Sequence, residues 1–119
     1  MENQMKIFNN PTFGAVRIVT TESNEPLFCL VDVCQALDLG NPSQVKTRLD
    51  KGVISNYPLM TAGGIQQVNF VNEDGLYDVI LDSRKPEAKQ FRKWITSEVL
   101  PQIRKTGGYI KTEDNDTPD

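Results

Sequence analysis

The sequence predicts an α+β domain. In it a small antiparallel β-sheet, built from hairpins, packs with about four helices, among them a helix-turn-helix-like pair and a long C-terminal helix kinked at a proline. Three observations carry this. Strand-forming segments rich in Val, Ile, Phe and Thr fill the first 30 residues and return between Val53 and Val71. Residues 30–52, LVDVCQALDLGNPSQVKTRLDKG, place apolar residues at helical spacing on either side of a Gly-Asn-Pro turn. From Asn72 to Ile103 the helical period resumes. A length of 119 residues predicts one core, hence one domain over residues 1–110, followed by a disordered acidic tail or linker over 111–119.

Met5 to Phe8 is a short apolar stretch stopped by Asn9-Asn10-Pro11, and Phe13 to Thr20 reads as a strand. A turn at Glu22–Pro26 returns the chain through Leu27–Leu30, and the helix pair is expected to leave from the edge of this small sheet. Leu30, Val33, Cys34 and Leu37 match a helix with one buried face, and Asp32 sits where a first-turn acid favours the dipole. Gly40 is expected to end that helix in a left-handed conformation. Asn41 then caps the next, Pro42 takes its first position, and Gln44 completes a variant capping box.

In this second helix Val45 and Leu49 face inward, which leaves Ser43, Gln44, Lys46, Thr47 and Arg48 outward. Such side chains reach phosphates and base edges. A helical hairpin with a solvated polar face is the competing reading.

After Gly52 the strands Val53–Met60 and Ile65–Val71 flank a Thr-Ala-Gly-Gly turn, and Pro58 demotes the first of them to an edge or a broken strand. The hairpin follows the helix pair as a wing would, or serves only to cover the core. Asn72 caps a third helix with Leu76, Val79 and Ile80 inward, ending at Asp82–Lys85. Pro86 opens the longest helix, whose stripe of Ala88, Phe91, Ile95, Val99 and Ile103 is margined by Trp94 and Leu100. Pro101 should kink or split it after Val99, and Gly107-Gly108 should finish it.

Composition narrows the function classes. The chain has no histidine and two cysteines, Cys29 and Cys34, both at apolar-patterned positions where they read as reduced core thiols. Histidine-based catalysis and the common zinc arrangements are excluded. No apolar run approaches the ~18 residues of a membrane span, and the N-terminus lacks a signal-peptide pattern, so a cytoplasmic location is expected.

The net charge of −3 is unevenly placed. Lys111 against Glu113, Asp114, Asp116 and Asp119 accounts for all of it, so residues 1–110 are neutral. Within them, Arg84, Lys85, Lys89, Arg92, Lys93, Arg104 and Lys105 face only Glu87 and Glu98 along residues 84–105, a local basic patch. On a helical wheel Lys89, Lys93 and, beyond the kink, Arg104 share a face away from the stripe, with Arg92 beside it.

Several segments resemble the Bro-N domain, the N-terminal module of phage and prophage antirepressors and of baculovirus Bro proteins. They are the Phe8–Val19 strands, PLFCLVDVCQALDLGNPSQVKTRLD, and VNFVNEDGLYDVILDSRKPEAKQFRKWITSEVLPQIRKTGGY. Asp32, Leu37, Gly40, Asn41 and Pro42 stand where the family carries its first helix and turn. The most specific run holds Ser83-Arg84-Lys85-Pro86, Ala88, Phe91, Trp94, Val99-Leu100-Pro101, Ile103-Arg104 and Lys105 to Tyr109. The resemblance implies an α+β DNA-binding module without enzymatic activity and, in phage settings, a role in lifting repression of lytic or prophage genes.

Two functional expectations follow. In the first, Ser43, Gln44, Lys46, Thr47 and Arg48 present to a DNA groove while Lys51, Arg84, Lys85, Lys89, Lys93, Arg104 and Lys105 hold phosphates. In the second, the chain sequesters a repressor without touching DNA. The partners expected are double-stranded DNA, a repressor protein and, as for many helix-turn-helix proteins, a second copy of the chain. No cofactor, metal or membrane is expected.

Overall fold

The computed structural model describes residues 4–106. Five strands run β1 (Gln4–Asn10), β2 (Gly14–Thr20), β3 (Pro26–Cys29), β4 (Ile54–Thr61) and β5 (Gly64–Val71). The helices are α1 (Leu30–Ala36), α2 (Pro42–Thr47), α3 (Glu73–Asp82), α4 (Ala88–Trp94) and α5 (Leu100–Thr106). The strands form one antiparallel sheet ordered β1-β2-β3-β5-β4. The expected α+β class with a kinked C-terminal helix is therefore the one observed. The acidic tail and Gly107-Gly108 lie outside the described residues.

The register puts Ile18 opposite Phe28, Phe28 opposite Val71, and Cys29 opposite Phe70. Because side chains alternate between faces, Val16, Ile18, Phe28 and Val71 share one face. Upon it pack Leu30, Val33, Cys34 and Leu37 of the α1 region, Leu76 and Val79 of α3, and Phe91, Ile95, Val99 and Ile103 along the C-terminal helix. The Phe91, Ile95, Val99 and Ile103 stripe is almost wholly removed from water, and each such side chain contributes roughly 1.5–3 kcal/mol of transfer free energy. A smaller cluster on the opposite face, Val19, Leu27, Cys29 and Phe70, consists of strand residues alone.

Two local expectations change. β3 is the central strand rather than an edge, since β5 pairs along its other side. The later hairpin thus completes the first sheet, with Pro58 on the outer strand β4, where a missing N–H breaks no ladder. The left-handed residue after α1 is Asp38, at φ 58°, whereas Gly40 does not adopt positive φ. A short acidic side chain tolerates that conformation.

Both expected asparagine caps form. The Gln44 backbone N–H donates to Asn41 Oδ1 at 3.2 Å, with Pro42 at the first helical position. The Gly75 N–H donates to Asn72 Oδ1 at 2.9 Å. Pro101 is accommodated without breaking the helix. The five residues Ile95–Val99 widen into a π turn in which the Leu100 N–H donates to the Ile95 carbonyl. Widening just before the ring relieves its crowding of the preceding turn.

Candidate nucleic-acid interface

α2 has only six residues, too few to hold a helix alone, so its neighbours fix it. Asn41 caps it, Val45 is buried in the core, and Leu49 packs there just after its end. Arg48 ties it to α3: Nε and Nη2 donate to Asp82 Oδ2 at 3.0 and 2.6 Å. Ser43, Gln44 and Thr47 are left exposed, and the Thr47 hydroxyl donates to the Gln44 carbonyl at 2.6 Å. Lys46 is half-buried. It lines a shallow cleft of about 200 Å³ with Lys51, Ile54, Ser55 and Asn56. Two ammonium groups and two polar side chains thus meet where α2 abuts the base of the β4–β5 hairpin, a set suited to a phosphate and its sugar.

The second basic group begins where Arg48 ends. Beyond Asp82 the Ser83 hydroxyl donates to the Leu37 carbonyl at 3.3 Å and accepts the Lys85 N–H at 3.2 Å, which fixes the link that carries Arg84 and Lys85. From there Lys85, Lys89 and Arg92 border an open groove between α3 and α4 of about 780 Å³, floored by Ile80, Leu81, Pro86 and Ala88. Arg92 lies over the Tyr77 ring at 5.8 Å from its centroid, and the Tyr77 hydroxyl donates to Glu73 at 2.9 Å. Burial and then the Glu73 bond raise the Tyr77 phenol above its usual pKa, while Arg92 and Arg104 oppose the rise.

The predicted basic residues therefore fall into groups. Lys46 and Lys51 share the hairpin cleft, and Lys85 and Lys89 share the α3–α4 groove, with exposed Arg84 beside Lys85. Lys93, one turn after Lys89, lines a different cleft with Asn10, Thr12 and Phe13 of the β1–β2 turn. Arg104 and Lys105 stand exposed on the last turn of α5. Ser55, Asn56 and Leu81 are additions that the sequence reading lacked, and Arg92, part of the basic patch in the sequence but assigned no contact there, joins the groove. Leu81 carried a signal, an apolar residue off the Leu76, Val79 and Ile80 stripe.

One charged constellation is structural. Asp32, 8% exposed, accepts from the Arg17 backbone N–H at 2.9 Å, from Nε at 2.8 Å and from Nη2 at 3.0 Å. These bonds raise the Arg17 pKa, so the guanidinium stays charged throughout. Burial raises the Cys29 thiol, and burial together with Cys29 pushes Cys34 up to about 11. Among the described residues no group of three or more His, Cys, Asp or Glu could hold a metal ion. No described helix is long and apolar enough to cross a membrane.

A family model described as the BRO family, N-terminal domain, matches residues 15–101. The chain belongs to the Bro-N family. The match runs from β2 into α5 and takes in the Lys46–Lys51 cleft and the α3–α4 groove. Bro-N is generally linked to phage and viral DNA-binding regulatory proteins rather than to catalysis.

An uncharacterized protein of Haemophilus influenzae is 40% identical over 112 residues, covering 92% of this chain and 55% of its own. Putative Bro-N domain-containing protein 201R of Invertebrate iridescent virus 6 is 32% identical over 106 residues, covering 71% of this chain and 25% of its own. A similar protein, 019R of Invertebrate iridescent virus 3, is 29% identical over 111 residues, covering 72% of this chain and 27% of its own. The chain thus spans about half the length of the bacterial relative and about a quarter of the viral ones. No solved structure matches it.

Proposed function

We propose that this Bro-N domain is the DNA-binding module of a phage-type antirepressor, regulating prophage or lytic genes in the cytoplasm of the bacterial host. The observation that carries the proposal is the cleft where Lys46 of α2 meets Lys51, Ser55 and Asn56 at the root of the β4–β5 hairpin. In this reading the hairpin flanks α2 as a wing. The exposed Ser43, Gln44 and Thr47 face a groove, while Lys46 and Lys51 grip the phosphates bordering it. Arg48 holds α2 in place through Asp82, and base contact by its guanidinium would require that ion pair to open. Arg84, Lys85, Lys89, Lys93, Arg104 and Lys105 supply further phosphate contacts along the flanking duplex.

A domain neutral over residues 1–110 relies on local charge, so the salt dependence reports how many of these cations engage phosphates. Each phosphate contact contributes roughly −0.9 to the slope of log K against log salt. The test is fluorescence anisotropy with duplex DNA from the control region adjoining the gene, across a salt series. Binding that weakens linearly on the logarithmic scale is expected. Absence of any salt-dependent binding at low ionic strength would refute the proposal, and DNA-free co-purification with a repressor would then install the sequestration role in its place.

A further inference from the structure

The two edges of the sheet differ. β4 carries Pro58, one of the devices that keep a sheet edge from adding another strand. β1 has no proline, and it pairs with β2 through all seven of its residues without a bulge. No described strand lies beyond it, so its outward N–H and C=O groups form a regular template for one more strand. Met5 lies opposite Val19, and with Ile7 it carries the apolar cluster of that face out to the edge, where the two are 46% and 53% exposed. On the helix-bearing face a cleft of about 490 Å³ runs beside the strand, with Lys6 and Phe8 on one side and Trp94, Glu98, Val99 and Gln102 on the other. Glu98 also lines the neighbouring cleft with Asn10, so it stands toward the Phe8–Asn10 end of β1.

An added strand must suit both faces, and a second copy of β1 does. Antiparallel pairing about a two-fold axis at Ile7, the middle of Gln4–Asn10, is the register that engages all seven residues. It sets Ile7 against the second copy's Ile7 with Met5 diagonal to it, which gathers four exposed apolar side chains. Lys6 then falls opposite the second copy's Phe8, at the end of the cleft where that copy's Glu98 stands, and the symmetry makes this charge pairing twice. A register centred on Lys6 would instead oppose two ammonium groups.

We propose that β1 is the self-association edge of this domain, pairing antiparallel with β1 of a second copy to give one continuous ten-stranded sheet. The axis stands perpendicular to the sheet, so the helices of both copies lie on one side, and the Lys46–Lys51 clefts lie beside β4 at the two far edges. Nine strand spacings separate those edges, up to roughly 43 Å before the twist of the sheet shortens the span. The association stands apart from the DNA reading. Its consequence rests on that reading: two clefts at such a separation suit half-sites about one helical turn apart.

Sedimentation equilibrium of the full chain without DNA tests the association. A reversible monomer–dimer equilibrium is expected, and Ile7→Lys, which opposes two cations on the axis, should weaken it by roughly tenfold or more. Ile7 is outside the core, so that variant keeps its fold, and an unchanged circular dichroism spectrum checks this. Disulfide trapping reads the register. Under mild oxidation Ile7→Cys should give covalent dimer several-fold faster than Met5→Cys or Met60→Cys. Residues opposed on the axis approach within about 4.5–5.5 Å, whereas Met5 and the second copy's Met5 lie about 13 Å apart along the strands. The native thiols Cys29 and Cys34 are buried and stay out of the reaction. A dimer indifferent to Ile7→Lys, or Met5→Cys trapping as fast as Ile7→Cys, would overturn the proposal. So would a chain that stays monomeric at every concentration, the result expected if the edge serves an extended peptide of another protein. If the dimer forms as described but duplex DNA takes up single chains, the pairing stands and its use on DNA falls.

Discussion

Gly75 sits where α3 meets the sheet so closely that an added Cβ would lie 2.9 Å from Val53 Cγ2 and 3.0 Å from Val71 Cβ. The two opposing atoms belong to packed β-branched side chains that cannot swing away. Gly75→Ala should therefore destabilise the domain by about 1–3 kcal/mol in urea unfolding, despite the up to ~1 kcal/mol that alanine gains in helix propensity. Cys34 gives a second prediction. With its folded pKa pushed up by burial to about 11, above the ordinary thiol value of about 9, the native thiol is about a hundredfold poorer in thiolate below pH 9 than the unfolded one, and burial slows it further. Alkylation at pH 8 should be at least that much slower in the native protein than in denaturant. A raised acid pKa also fixes the sign of the stability effect: this contribution is complete below about pH 9 and is lost as pH rises through about 11. Some of this scale was legible beforehand. Asn41 and Asn72 were readable because their partners lie three residues away. The Arg17–Asp32 and Arg48–Asp82 pairs join residues 15 and 34 apart, and only the fold brings them together.

At the level of elements, helical spacing exposed α1 to α4 because each buries one stripe, and Pro58 correctly marked an outer strand. The place of β3 was less readable. A four-residue strand buried on both faces carries no alternation to reveal how many neighbours it has, so the joining of the later hairpin to the first sheet was hidden. The proline prediction was right about position, and the helix answered with a π turn rather than a break. α2 is the element on which the proposed function depends most and the one with the least intrinsic stability. Asn41→Ala removes its cap at a cost of about 1 kcal/mol. In a helix of six residues that loss frays the first turn, where Ser43 and Gln44 stand. The expected result is a small drop in thermal midpoint with a disproportionate, several-fold loss of DNA affinity by anisotropy. An affinity loss no larger than that of an exposed alanine substitution on the far side of the sheet would detach α2 from binding.

For the molecule as a whole, charge is the quantity that composition misreports. The net charge of −3 comes from residues 111–119, and the neutral remainder concentrates its cations in the last third of the chain. The sequence located that concentration but not its partition. Residues a helical turn apart, Lys89 and Lys93, end in different clefts because α3 packs against one side of α4 and the β1–β2 turn reaches the other. Conversely Lys46 and Lys51, which no periodicity links, converge because the chain after α2 turns back into β4. That convergence is the centre of the proposed interface, and the double variant Lys46→Ala, Lys51→Ala tests it most directly. Both lysines lie outside the core, so the fold should persist. Against the unmodified protein, the salt dependence of duplex binding should become shallower by about two contacts' worth of slope, with all sequences weakened alike. An unchanged slope and affinity in a folded double variant would contradict the account.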